Sequence, residues 1–146
     1  MAKIEIRTRD LDKTSWLPDQ GTPQHTFLIY TNDAGEKVVL RGGSLEAKYN
    51  NQLNTDNITD SDLVVVLDNY NSNSIDWDDG SIPIHQETIA SGTDFEISQI
   101  WLAMRAEGQR INNEGYDYEY FTQNCNTVMS NIVKAAGLEV ILPQMA

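Results

Sequence analysis

Apolar and polar positions alternate from Lys3 to Thr8, with Ile4 and Ile6 on one face, and this predicts a short first strand. Residues 10–24 are polar and broken by Pro18, Gly21 and Pro23, which predicts a loop. His25-Thr26-Phe27-Leu28-Ile29-Tyr30-Thr31 then reads as a strong strand. Asn32-Asp33-Ala34-Gly35 reads as a turn, and Glu36 to Arg41 as the returning strand, ended by Gly42-Gly43. Residues 44–61 are rich in Asn and Asp. Leu45, Tyr49 and Leu53 stand there at helical spacing, which predicts a short helix or an irregular excursion. Asp62 to Leu67 reads as a strand whose continuous apolar run, Leu63 to Leu67, is of the kind covered on both faces. A long polar loop to Ser81 and a weaker strand from Ile82 to Ile89 follow.

Two helices close the chain. Thr93-Asp94-Phe95-Glu96 has the capping-box spacing, and the helix it opens is expected to end near Gly108, with Phe95, Ile100, Trp101 and Met104 as its apolar stripe. Residues 108–115 read as a loop. The last helix is expected from Cys125 to Ala136, capped by Asn124 and ended by Gly137, with Val128, Met129, Ile132, Val133 and Ala136 on one face. The expected fold class is α+β in a single domain over residues 1–146, an antiparallel sheet with packed helices.

Charge narrows the partners. The chain has 22 Asp and Glu against 10 Lys and Arg, a formal net charge of -12. Such a surface repels phosphate backbones and anionic lipid, so no nucleic-acid ligand is expected; the charge serves solubility first, and alternatively presents a negative face to a basic protein partner. No apolar run reaches the length of a membrane span, so no stable membrane insertion is expected. The first residues alternate polar and apolar and lack the core of a secretion signal. This predicts a cytoplasmic protein, or one exported without a classical signal peptide.

There is one cysteine, which forbids an intrachain disulfide and a cysteine zinc cage, and the two histidines are too few for a metal site; no metal and no cofactor are expected. Cys125 instead opens a helix. A thiolate there faces unpaired backbone N–H groups and the positive end of the helix dipole, both of which favour its ionised, nucleophilic form. Its neighbours Gln123, Asn124, Asn126 and Thr127 are polar, unlike the surroundings of a core-filling cysteine. His25, at the start of the best strand, is the candidate base. His85 competes from the weaker strand.

A strand opened by His25, a hairpin closed by Gly42-Gly43, and much later Tyr120-Phe121-Thr122-Gln123-Asn124-Cys125 at the start of an amphipathic helix ending in Gly137 together resemble the circularly permuted NlpC-type papain-like families. These include lecithin:retinol acyltransferase-like proteins and cysteine hydrolase domains of bacterial toxins and effectors. The resemblance covers about 45 residues at the two ends, and residues 44–92 have no counterpart in it. It implies a papain-like fold with the histidine strand before the cysteine helix. It also implies Cys125 as nucleophile and His25 as base in a hydrolase or acyltransferase acting on an amide, peptide or ester bond. The substrate would be a protein, a peptide or a lipid ester. The backbone N–H of Cys125 would hold the oxyanion, with the side chains of Gln123 or Asn124. Such enzymes usually have a third polar residue that orients the histidine. The returning strand offers Glu36 for this, while Arg41 has no acceptor.

The rival reading is a non-catalytic acidic binding module, an inhibitor or immunity-type protein, with Cys125 buried and inert. The acidic run Asp76-Trp77-Asp78-Asp79-Gly80 fails as a calcium loop, because Ile75 and Trp77 occupy ligand places, and reads as a solvated loop. Gly42-Gly43 lacks the Lys and Ser or Thr of a phosphate loop.

Overall fold

The computed structural model describes residues 1–10, 24–44, 63–74, 77, 78, 80, 84–114 and 125–138. Five strands form one antiparallel sheet: β1 (Ala2–Asp10), β2 (Gln24–Thr31), β3 (Lys37–Ser44), β4 (Leu63–Asn69) and β5 (Ile84–Gly92). Their spatial order is β4-β3-β2-β1-β5, so the chain meanders to one edge and returns to the other. Helices α1 (Asp94–Glu114) and α2 (Cys125–Ala135) pack on the sheet and on each other. The expected α+β class is the architecture found, and no described helix is long and apolar enough to cross a membrane.

Strand alternation divides the core in two. Leu28 and Tyr30 of β2, with Ile4, Ile6, Leu40, Val65 and Leu67, join Trp101, Met104, Val128, Met129 and Ile132 in the large cluster between sheet and helices. Phe27, Ile29 and Val39 point the other way and meet Tyr70 in a cluster that, among the described residues, contains no helix residue. Each large buried side chain contributes about 1.5–3 kcal/mol, and among the described residues most of these lie between sheet and helices. Val64 to Leu67 are buried on both faces, as their continuous apolar run implies.

The hairpin turn follows from Asn32. Its Oδ1 accepts the N–H groups of Ala34 and Glu36 at 2.9 and 3.0 Å, and Gly35 takes φ 83°, which an L side chain resists. Strand β3 departs from the expected boundary: it runs through Gly42 and Gly43 to Ser44. Sheet pairing with β4, Gly42 with Val65 and Gly43 with Val64, outweighs the low strand preference of glycine.

Helix α1 begins at its expected cap. Thr93 Oγ1 accepts the Glu96 N–H at 3.2 Å and donates to Glu96 Oε1 at 2.9 Å. It does not end at Gly108, and residues 109–114 are helical where a loop was expected. Gly108 is buried, and beyond it Ile111 and Asn112 are buried as well. Packing two further turns outweighs the roughly 1 kcal/mol that glycine costs a helix. The buried stripe is Ile97, Trp101, Met104, Gly108 and Ile111; Trp101 and Met104 are as expected, Ile100 packs partly buried against the same core, and Phe95 is corrected, being 76% exposed. Near its start, Tyr30 donates to Asp94 Oδ1 at 2.6 Å. Burial first, and then Asp94, pushes the phenol pKa up to about 12.

Helix α2 spans the expected residues and buries the expected face. Gly137, at φ 79°, donates to the Lys134 carbonyl and Leu138 donates to the Val133 carbonyl, a Schellman ending. The helix expected within residues 44–61 falls, apart from Ser44 in β3, outside the described residues.

Candidate functional site

The strand registers define two ends of the sheet. One carries the β2–β3 turn. At the opposite, distal end, Asp10 of β1 pairs with Gln24 of β2, Arg9 pairs with both His25 and Ile84, and Ser44 of β3 pairs with Leu63 of β4. The helices meet the sheet there too. Asn112, near the end of α1, bonds Val65 of β4, and Val128, in the second turn of α2, lies against Gly42 of β3. The start of α2 and the starts of β2, β4 and β5 therefore share the distal end with the ends of β1, β3 and α1.

Cys125 and His25 both belong to this end. Cys125 is the first residue of α2, three positions before Val128 and hence on the same side of the helix. His25 is the second residue of β2, two positions before Phe27, whose partner Arg41 adjoins Gly42. Position 25 has the strand parity of Phe27 and Ile29, on the side of the sheet opposite α1 and α2. Thr26, Leu28 and Tyr30 have the parity that α2 covers.

His85 is exposed on β5 opposite Thr8. Thr8 lies on the helix-covered side, its Oγ1 3.4 Å from that of Thr26. The competing base is thus on the helix side but two strands from β2, about 10 Å across the sheet. Glu36 is corrected as the third member. It lies at the β2–β3 turn, where its carboxylate accepts from Asn32 Nδ2 at 3.3 Å. His25 is six strand positions from Thr31, and at ~3.3 Å per residue that is about 20 Å. Gln123 and Asn124 lie outside the described residues.

Gly42 sets how closely α2 approaches. A Cβ placed on it would stand 3.1 Å from Cβ and Cγ1 of Val128 and 3.2 Å from Cγ2, inside van der Waals contact. Here glycine serves proximity, which the pairing of Gly42-Gly43 with a strand end could not reveal. Gly42→Ala is expected to destabilise by about 1–3 kcal/mol, since the helix must lift. Combining it with Val128→Ala should recover much of that loss in denaturant melts, a coupling that independent sites would not give. Asn126, the second residue of α2, which the sequence marked only as a polar neighbour of Cys125, is a buried polar side chain. Its only signal was a polar residue inside the first turn of an otherwise amphipathic helix.

The face opposite α1 and α2 holds a second polar group. Glu5 is 2% exposed, and its Oε1 takes Arg7 at 3.2 Å and Lys3 at 3.6 Å. Arg7 also donates to the Tyr70 hydroxyl at 3.2 Å, with its guanidinium 5.3 Å from that ring's centre. Lys37 donates to Thr31 Oγ1. Burial lowers its pKa, opposed by the charge of Glu5 and reinforced by Lys3 and Arg7. Trp77, in the acidic segment, tilts against Tyr70 with centroids 5.1 Å apart, and Asp78 Oδ1 accepts the Gly80 N–H.

No family model, no curated protein and no solved structure matches this chain.

Proposed function

We propose that the protein is a cysteine-dependent hydrolase or acyltransferase of permuted papain-like, NlpC type, acting on an amide, peptide or ester bond. Cys125 is its nucleophile and His25 its base. The observation that carries this reading is the position of Cys125 as first residue of α2, at the sheet end that also holds His25. Backbone N–H groups of a first helical turn have no partners within the helix, and with the helix dipole they stabilise a thiolate and, later, an oxyanion.

The chemistry runs by proton transfer and acyl exchange. His25 takes the Cys125 proton, and the sulfur attacks the substrate carbonyl carbon. The leaving amine or alcohol departs with the proton from the imidazole. Water or another acceptor then displaces the sulfur and returns the thiol. The substrate class is a protein, a peptide or a lipid ester, and an exported toxin or effector domain is the biological setting the resemblance implies.

The strand parity of position 25 favours a second reading, the acidic binding module with an inert thiol.

Thiol reactivity separates the two. For the enzyme, alkylation of Cys125 by iodoacetamide stays fast near pH 6, well below the ordinary thiol range. His25→Ala slows it at that pH without changing the melt, and Cys125→Ala abolishes hydrolytic, transferase or toxic activity. A His85→Ala variant that alone slows labelling would move the base to β5. Labelling only after unfolding would leave the binding module standing.

A further inference from the structure

The two edges of the sheet are treated differently. At β4, the Asn112 side chain replaces a neighbouring strand: its Oδ1 accepts the Val65 N–H at 2.7 Å and its Nδ2 donates to the Val65 carbonyl at 2.9 Å. At β5, among the described residues, no strand lies beyond the outer edge, and His85, Gln86, Glu87 and Thr88 are all exposed. Edge strands are commonly blunted by Lys, Pro, shortness or a bulge. β5 is nine residues long and contains no Lys, Arg or Pro. Its one irregularity leaves Ile89 as an extra residue between the pairs Glu5–Thr88 and Ile4–Ala90, so Ile84 to Thr88 remains a regular ladder.

We propose that this edge pairs with the same strand of a second copy, antiparallel and centred on Gln86, joining two sheets into one of ten strands. Charge complementarity selects this partner and this register. Centred on Gln86, Ile84 faces Thr88 and His85 faces Glu87, twice by symmetry. His85 and Glu87 share a face, because their β1 partners Thr8 and Ile6 both belong to the helix-covered side. Each imidazole N–H therefore meets a carboxylate across the junction. Centring on Glu87 would set carboxylate against carboxylate, and centring on His85 would set imidazole against imidazole. Neither helix hinders the junction: α1 starts after Gly92, at the other end of β5, and the exposure of His85 and Glu87 shows that this part of the face is uncovered.

Two copies at -12 each repel, so the dimer is weak and salt that screens the long-range field tightens it. A basic partner docked on the same edge would show the opposite salt dependence.

Sedimentation equilibrium on the full chain, from roughly 10 μM to 1 mM, tests the pairing. The wild type is expected to show a monomer–dimer equilibrium. His85→Glu sets two carboxylates face to face, and Glu87→Lys sets a lysine against an imidazole, so each alone should dimerise about tenfold more weakly. Both side chains are exposed, and unchanged melting curves would verify that each variant folds. Mixed one to one, the two variants should recover a mixed dimer, because each then opposes the other's charge. A wild type that stays monomeric throughout, variants that dimerise like wild type, or a mixture no tighter than its components would each overturn the proposal.

Discussion

Glu5→Ala should destabilise the protein by about 3–5 kcal/mol, the cost of breaking a buried ion pair from one side. Glu5 is a buried carboxylate on the side of the sheet opposite α1 and α2, and Arg7, only 12% exposed in its side chain, leans on it at 3.2 Å. Lys3 adds a second contact, and Lys37 is near enough for the charge of Glu5 to support its protonated form. Without the carboxylate, three cations face one another over a low-dielectric sheet, and among the described residues Arg7 keeps the Tyr70 hydroxyl and ring. Lys37 should then titrate at still lower pH, readable by NMR on its side chain. Glu5→Gln keeps an acceptor and should cost less. Glu5→Leu combined with Arg7→Leu should recover much of the loss, because a well-packed apolar pair can match a buried ion pair. A Glu5→Ala melt within 1 kcal/mol of wild type would show the cluster to be solvated in effect.

Asn112→Leu should cost about 2–4 kcal/mol and leave the protein prone to self-association. The substitution keeps bulk at the end of α1 but removes both partners of the Val65 backbone, and a buried donor or acceptor left unmatched costs about 1–3 kcal/mol. The same two groups become an unsatisfied sheet edge, a template for another strand. Denaturant melts give the first effect, and light scattering over time gives the second. Asn112→Asp keeps the acceptor for the Val65 N–H but opposes an oxygen to the Val65 carbonyl, so it should retain part of the stability. A leucine variant as stable and as monodisperse as wild type would show that water serves Val65 equally well.

Local pattern made most elements legible. The alternation of Ile4 and Ile6, the run Phe27 to Tyr30 and the valines of β4 bury as their periodicity requires. Asn32 and Gly35 make the turn that their chemistry allows, and Thr93 with Glu96 starts α1. The face of α2 followed from Val128, Met129, Ile132 and Val133, because an isolated 3.6-residue period has one apolar side. These features depend on neighbours a few residues apart, and a sequence states those directly. The position of Cys125 at a helix start belongs with them.

What only the tertiary structure decided concerns residues far apart in the chain. Gly108 could not be read as a helix interior, because Ile111 and Asn112, which carry α1 past it, gain their burial from the sheet. Gly42 reads as a strand end until Val128, 86 positions later, occupies the space of its missing side chain. Glu36 adjoins the histidine strand in sequence and lies at the wrong end of it in space, since an antiparallel return reverses direction. The parity of His25 became meaningful only once α2 had chosen the Leu28 side of the sheet. Alternation distinguishes two faces, and long-range packing decides which of them meets the helix that carries the cysteine.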